Sequence, residues 1–177
     1  MIRARGGGVP NSSTLFRSYE ICADYHQFYL ADAEKFEFAP EDYTDEDVKR
    51  RIKNGRYVVV VQPERNMTVP VELEILMSPP NDDFSGWQHV AEASLDLPSG
   101  KLRIEECTGD VKDEITLDPN SYRVRVYYAG LDTLSFDGLD GDDHYRIVIW
   151  PAPVSDVKVL KQYSESRETS EMKLWQT

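Results

Sequence analysis

The stretch Met67-Thr68-Val69-Pro70-Val71-Glu72-Leu73-Glu74-Ile75 decides the fold class. Met67, Val69, Val71, Leu73 and Ile75 alternate strictly with Thr68, Pro70, Glu72 and Glu74, the period of a strand with one buried and one wet face. Pro70 has no N–H to give a ladder, so this strand is expected at a sheet edge or bulged at that point.

The same signal repeats on both sides. Upstream, Tyr57 to Gln62 is a β-branched run that suits a central strand buried on both faces. Downstream, Trp87, Ala91, Ala93, Leu95 and Leu97 point one way, and Gln88, Glu92, Ser94 and Asp96 mostly the other. Pro98-Ser99-Gly100 then marks a turn. Leu102 to Cys107, Glu114 to Leu117, Tyr122 to Tyr128 and Tyr145 to Trp150 continue the series, with one more strand around Val157 to Leu160. Within Tyr122 to Tyr128, Arg123, Arg125 and Tyr127 alternate with Val124, Val126 and Tyr128, which places two arginines on an exposed face. From Tyr19 to Leu30 the alternation breaks phase once, as in a strand pair or a bulged strand.

One helix interrupts the strands. Thr44, followed three residues later by Asp47, resembles a capping box, and Asn54-Gly55 supplies a stop. Asp45, Glu46 and Asp47 open this helix and Lys49, Arg50, Arg51 and Lys53 close it, as the helix dipole favours. The expected span is Asp45 to Lys53. The fold class is therefore mainly β: an antiparallel β-sandwich, jelly-roll-like or barrel-like, with one short helix. A single domain is expected over 15–163, between a flexible segment 1–14 and a flexible, mostly polar tail 164–177.

Composition narrows the partners. The 177 residues carry 20 lysines and arginines against 32 aspartates and glutamates, a formal charge of -12 that repels phosphate backbones. Direct nucleic-acid binding is not expected. No apolar run approaches the roughly 20 residues needed to cross a bilayer, and Gly6-Gly7-Gly8 stands where a secretory signal would be apolar. The expectation is a cytoplasmic protein without a membrane segment, with Cys22 and Cys107 as free thiols.

Motifs for chemistry are sparse. The loop from Gly130 to Asp143 has five carboxylates and three glycines, enough oxygens to suggest calcium, but without EF-hand spacing it is read as a glycine-aspartate turn. His26, His89 and His144 fall on separate elements and lack metal-ligand spacing. His26, between Tyr25 and Phe28, either holds a sheet end together or contacts a partner. There is no nucleophile elbow, phosphate loop or dinucleotide fingerprint. We expect no catalytic residues, no metal and no cofactor.

Tyr25-His26-Gln27-Phe28, Thr68-Val69-Pro70 and Ser94-Leu95-Asp96-Leu97-Pro98-Ser99-Gly100 resemble the competence protein J family, inhibitors of a bacterial DNA-entry nuclease. Arg65 to Glu74 and Tyr122 to Pro151, including Gly130-Leu131-Asp132-Thr133-Leu134 and Asp140-Gly141-Asp142-Asp143-His144-Tyr145, resemble a larger group of uncharacterised bacterial proteins. Together the likeness runs from about Tyr19 to Pro153. It implies a non-enzymatic inhibitor or immunity-type protein. A nuclease cleft is basic because it holds phosphates, so an acidic protein is steered towards it. The dense acidic segments are Asp32 to Asp47 and Asp137 to Asp143. Asp45, Glu46, Asp137, Asp140, Asp142 and Asp143 are the expected contacts to a basic protein, a nuclease by this resemblance. The alternative is a small-molecule or carbohydrate-binding sandwich, calcium-dependent in one form, using aromatics such as Tyr127 or Trp87. A groove lined by aromatics would favour that alternative; a flat acidic face would favour the inhibitor. Oligomeric state is not legible.

Overall fold

The computed structural model describes residues 15–165, and the two expected flexible ends fall almost wholly outside them. In chain order the strands are β1 (Leu15–Cys22), β2 (Phe28–Asp32), β3 (Ile52–Asn54), β4 (Val58–Val61), β5 (Thr68–Ile75), β6 (His89–Leu97), β7 (Lys101–Glu106), β8 (Val111–Thr116), β9 (Asn120–Ala129), β10 (His144–Pro151) and β11 (Lys158–Lys161). One helix, α1 (Asp45–Arg50), lies between β2 and β3. A six-stranded sheet runs β1-β5-β10-β9-β6-β11 and a five-stranded sheet runs β3-β4-β2-β7-β8.

The alternating residues of both sheets meet in one core. Val69, Val71, Leu73 and Ile75 of β5 lie against Phe28 and Leu30 of β2, Val59 and Val61 of β4, and Leu102 and Ile104 of β7 in a single buried cluster. Each Å² of apolar surface removed from water contributes about 25 cal/mol, which makes this cluster the main source of stability.

Several expectations need correction. Neither sheet closes on itself, so the barrel-like option falls. Nor is the large sheet wholly antiparallel, because β10 pairs with β5 in parallel, Tyr145 opposite Val71 through Ile149 opposite Ile75. For the same reason β5 is no edge strand: β1 covers its other side, with Glu20 opposite Pro70. The ladder to β10 begins at Val71, one residue past the proline, so that neighbour never needs the missing N–H. The phase break after Ala23 is not a bulge: two strands flank it, as expected of a strand pair, but they belong to different sheets and do not pair. It is a tight turn at Asp24–His26 that carries the chain from the large sheet to the small one.

The helix is shorter than expected. Thr44 and Asp47 do form the capping box, but Arg51 ends the helix by adopting a left-handed conformation at φ 58°, and β3 starts at once. Asn54 is instead the last residue of β3, opposite Val59, and Gly55 opens the turn into β4, its amide donating to the Val58 carbonyl.

The outer face of the large sheet is wet along β1 and β5, where Ser18 and Glu72 are exposed, but not over β6, β9 and β10. Arg123 and Arg125, expected in solvent, are 4% and 5% exposed. Residues 76–88 and 152–157 fold back over this face and, with Leu160 of β11, bury a second cluster of Leu76, Val90, Tyr127, Val148 and Trp150. Trp87 joins that cluster rather than the face of Ala91 and Leu95. Glu92 lies between the two arginines, its carboxylate 2.9 Å from Arg123 Nε and 2.6 Å from Arg125 Nε. Arg123 also donates to the Ser155 and Asp156 carbonyls, and Arg125 to the Asn81 carbonyl and the Asp82 carboxylate. Each charge is thus both paired and hydrogen-bonded, the condition under which burial is tolerated. Both cysteines are free.

Candidate protein-binding site

The loop between β9 and β10 stands at one end of the two sheets, joined there by the β1–β2 turn and the segment after β4. Its geometry follows from small polar side chains that cap the backbone. Asp137 accepts from the Ser135 hydroxyl and the Leu139 amide, which hold its carboxyl below the ordinary carboxylate range. Thr133 Oγ1 accepts from the Asp142 amide, and Ser135 Oγ from the Asp140 amide. Gly130 turns the chain at φ 68°; a Cβ there would meet the Asp142 carbonyl oxygen at 2.4 Å, so only glycine fits.

Asp143 fixes the base of this loop, and here the expectation of a surface contact is corrected. Its side chain is fully buried, with Oδ1 2.7 Å from Arg65 Nε in an ion pair that is out of line for a hydrogen bond. Tyr145 donates its hydroxyl to Asp143 Oδ2 and accepts from the Glu64 amide. Burial and the Asp143 carboxylate together push the Tyr145 hydroxyl far up, so it stays a donor. Glu64 in turn pairs with Arg51, the residue that ends α1. One chain of contacts therefore runs from the acidic loop to the helix.

Helix α1 buries no side chain of its own and is held by its last carbonyls. His89 Nε2 donates to the Arg50 carbonyl at 2.8 Å, Tyr128 donates to that of Arg51, and Gln162 to that of Lys49. Because His89 Nδ1 accepts from the Tyr163 amide, the ring is the neutral Nε2–H tautomer. Burial lowers its pKa to about 4.

The two acidic segments differ in their compensation. Asp45 and Glu46 are exposed on the first turn of α1, with Glu46 3.5 Å from Arg50. Asp42 and Asp47 share Lys53, and Asp32 is buried; against the penalty of burial, the Ser99, Glu34 and Lys35 amides hold its carboxyl low. By contrast Asp137, Asp140 and Asp142 are exposed, and no lysine or arginine among the described residues pairs with any of them. Exposed apolar groups flank the loop: Phe136 is 74% exposed, and Leu139, Met67 and Tyr25 are also open. Asn66 links them, donating from its amide to the Gly138 carbonyl and accepting from the His26 amide. Tyr25 and His26 both stand at positive φ, 55° and 57°, a strain on the order of 1 kcal/mol or more per residue. His26 is exposed, at the tip of the crossing turn.

A second feature lies on the outer face of the small sheet. Residues 36–43 arch over it and leave a cleft of about 440 Å³ lined by Tyr29, Phe36, Phe38, Tyr43, Glu41 and Glu105 among others. Sequence reading missed it, although two phenylalanines in an otherwise polar, acidic segment were the available signal. Tyr127 is buried and Trp87 partly so, packed on each other at 5.3 Å. No cluster of three or more His, Cys, Asp or Glu among the described residues is arranged to hold a metal ion. No helix among them is long and apolar enough to cross a membrane.

Comparison with solved structures gives a match to ComJ from Bacillus subtilis, an inhibitor of the DNA degrading activity of NucA. The TM-score is 0.59 at 14% identity, covering 81% of this chain and all of that one. A second match, the product of crocagin biosynthetic gene J, has a TM-score of 0.48 at 18% identity over 80% of this chain and 97% of that one. No protein-family model matches the sequence, and no curated protein matches it. The chain has a ComJ-like fold.

Proposed function

We propose that the protein is a non-enzymatic, inhibitor-type sandwich domain whose partner is a basic protein, a nuclease by analogy with ComJ. The observation that carries this reading is the uncompensated carboxylate loop, Asp137, Asp140 and Asp142, set among exposed apolar side chains at one end of a ComJ-like fold. Acidic side chains at a rim steer association, and apolar neighbours supply the contact that outlasts encounter. Asp45 and Glu46 add to the field from α1, screened in part by Arg50.

The test is affinity capture from the native host, followed by an assay of DNA degradation with and without the purified protein. The captured partner is a basic nuclease whose activity falls on addition of the protein. Replacing Asp140→Lys and Asp142→Lys together slows association about tenfold at low salt and flattens its salt dependence, with the melting temperature unchanged. A partner that is acidic, or an association rate untouched by the double reversal, sinks the reading. The aromatic cleft supports a second reading, a small-molecule or carbohydrate module, which a thermal-shift screen against sugars would reveal.

A further inference from the structure

We infer that the cleft over the small sheet receives an arginine side chain of a protein partner, between Phe36 and Phe38 on one side and the carboxylates of Glu41 and Glu105 on the other. This rests on the reading of the molecule as a binder of a basic protein and names the group that it holds.

Three observations combine. First, Phe36 and Phe38 are 82% and 79% exposed and meet edge to face, ring centroids 4.7 Å apart. Large apolar side chains left this open, side by side, mark an interaction surface. Second, the lining contains three glutamates and no lysine or arginine. Glu37 is taken up by the backbone amides of Arg56 and Tyr57, whereas the Glu41 and Glu105 carboxylates, which also line the cleft, have no hydrogen-bond or ion-pair partner among the described residues. Third, the cleft margin already holds a cation on an aromatic ring, because the Lys53 ammonium sits 4.7 Å from the centroid of Tyr43.

Charge complementarity selects a cation, and aromatic faces beside free carboxylates select a flat one. A guanidinium stacks on phenyl rings while its N–H fork reaches a carboxylate, which a compact ammonium does less well. A neutral sugar would use the rings but leave two carboxylates without partners.

The probe is the pentapeptide acetyl-Gly-Gly-Arg-Gly-Gly-amide, titrated into the isotope-labelled full chain and followed by amide chemical shifts. Controls are the same peptide with citrulline, which is neutral and nearly isosteric, and maltotriose. The arginine peptide shifts the amides of residues 36–43 and Glu105, and the citrulline peptide binds at least tenfold more weakly. Phe36→Ser with Phe38→Ser, and separately Glu41→Gln with Glu105→Gln, each weaken the arginine peptide at least tenfold while the spectrum elsewhere stays native. Equal response to citrulline, shifts spread evenly over all acidic surfaces, or binding of maltotriose alone overturns the inference. A nuclease still inhibited by the Phe36→Ser and Phe38→Ser variant removes the cleft's role and leaves the inhibitor reading standing. Arginine binding without any nuclease inhibition does the reverse.

Discussion

Glu92 shows how far a single residue's role can depart from its apparent place. Its position in an alternating strand predicts solvent; in fact it lies 6% exposed between two buried guanidinium groups. Replacing Glu92→Gln removes the charge but leaves both arginines buried, a change worth roughly 3–5 kcal/mol and on the order of 10 °C in melting temperature. A shift of under about 2 °C by calorimetry would mean the network relaxes into water. His89 provides a pH-dependent counterpart. With its folded pKa depressed to about 4, below the unfolded value near 6.5, its neutral form contributes stability that is complete above pH 6.5. As pH falls from 6.5 to 4 that stability is lost at about 1.4 kcal/mol per unit, because the unfolded chain binds the proton first. Denaturant titrations of His89→Gln should show this slope reduced over that window. Neither behaviour was legible in the sequence, since alternation reports which face a residue occupies and says nothing about what later covers that face.

Among elements, α1 was the most legible and its end the least. The Thr44–Asp47 box is local chemistry, so residue types and spacing suffice to find it. Thr44→Ala should cost about 1 kcal/mol, read from denaturant midpoints, because the Asp47 amide loses its acceptor. The helix end, however, depends on carbonyls held by His89, Tyr128 and Gln162, all distant in sequence. Pro70 misled in the same way. Its missing N–H excludes one ladder position, and the neighbouring strands are staggered so that β5 still lies inside the sheet. At the candidate site, the exposed positions of Asp137, Asp140 and Asp142 were readable from glycine-aspartate turns. The internal role of Asp143 was not, because Arg65 and Tyr145 reach it from other elements.

At the scale of the whole molecule, the parallel pairing of β5 with β10 has a kinetic consequence. The paired residues Val71 and Tyr145 are separated by roughly seventy positions in the chain, so a long loop must close before that ladder rewards it. Refolding monitored by tryptophan fluorescence should therefore take milliseconds to seconds rather than microseconds. A single phase within a hundred microseconds would show that the pairing is not part of the barrier. During synthesis β1 and β5 emerge and pair well before β10 exists, leaving the far side of β5 as an open edge. That edge carries Val69, Val71, Leu73 and Ile75, a segment able to pair with any passing strand. A ribosome stalled before Asp143 would thus hold a chain prone to stick to its neighbours, and the synthesis of β10 is what makes the product safe.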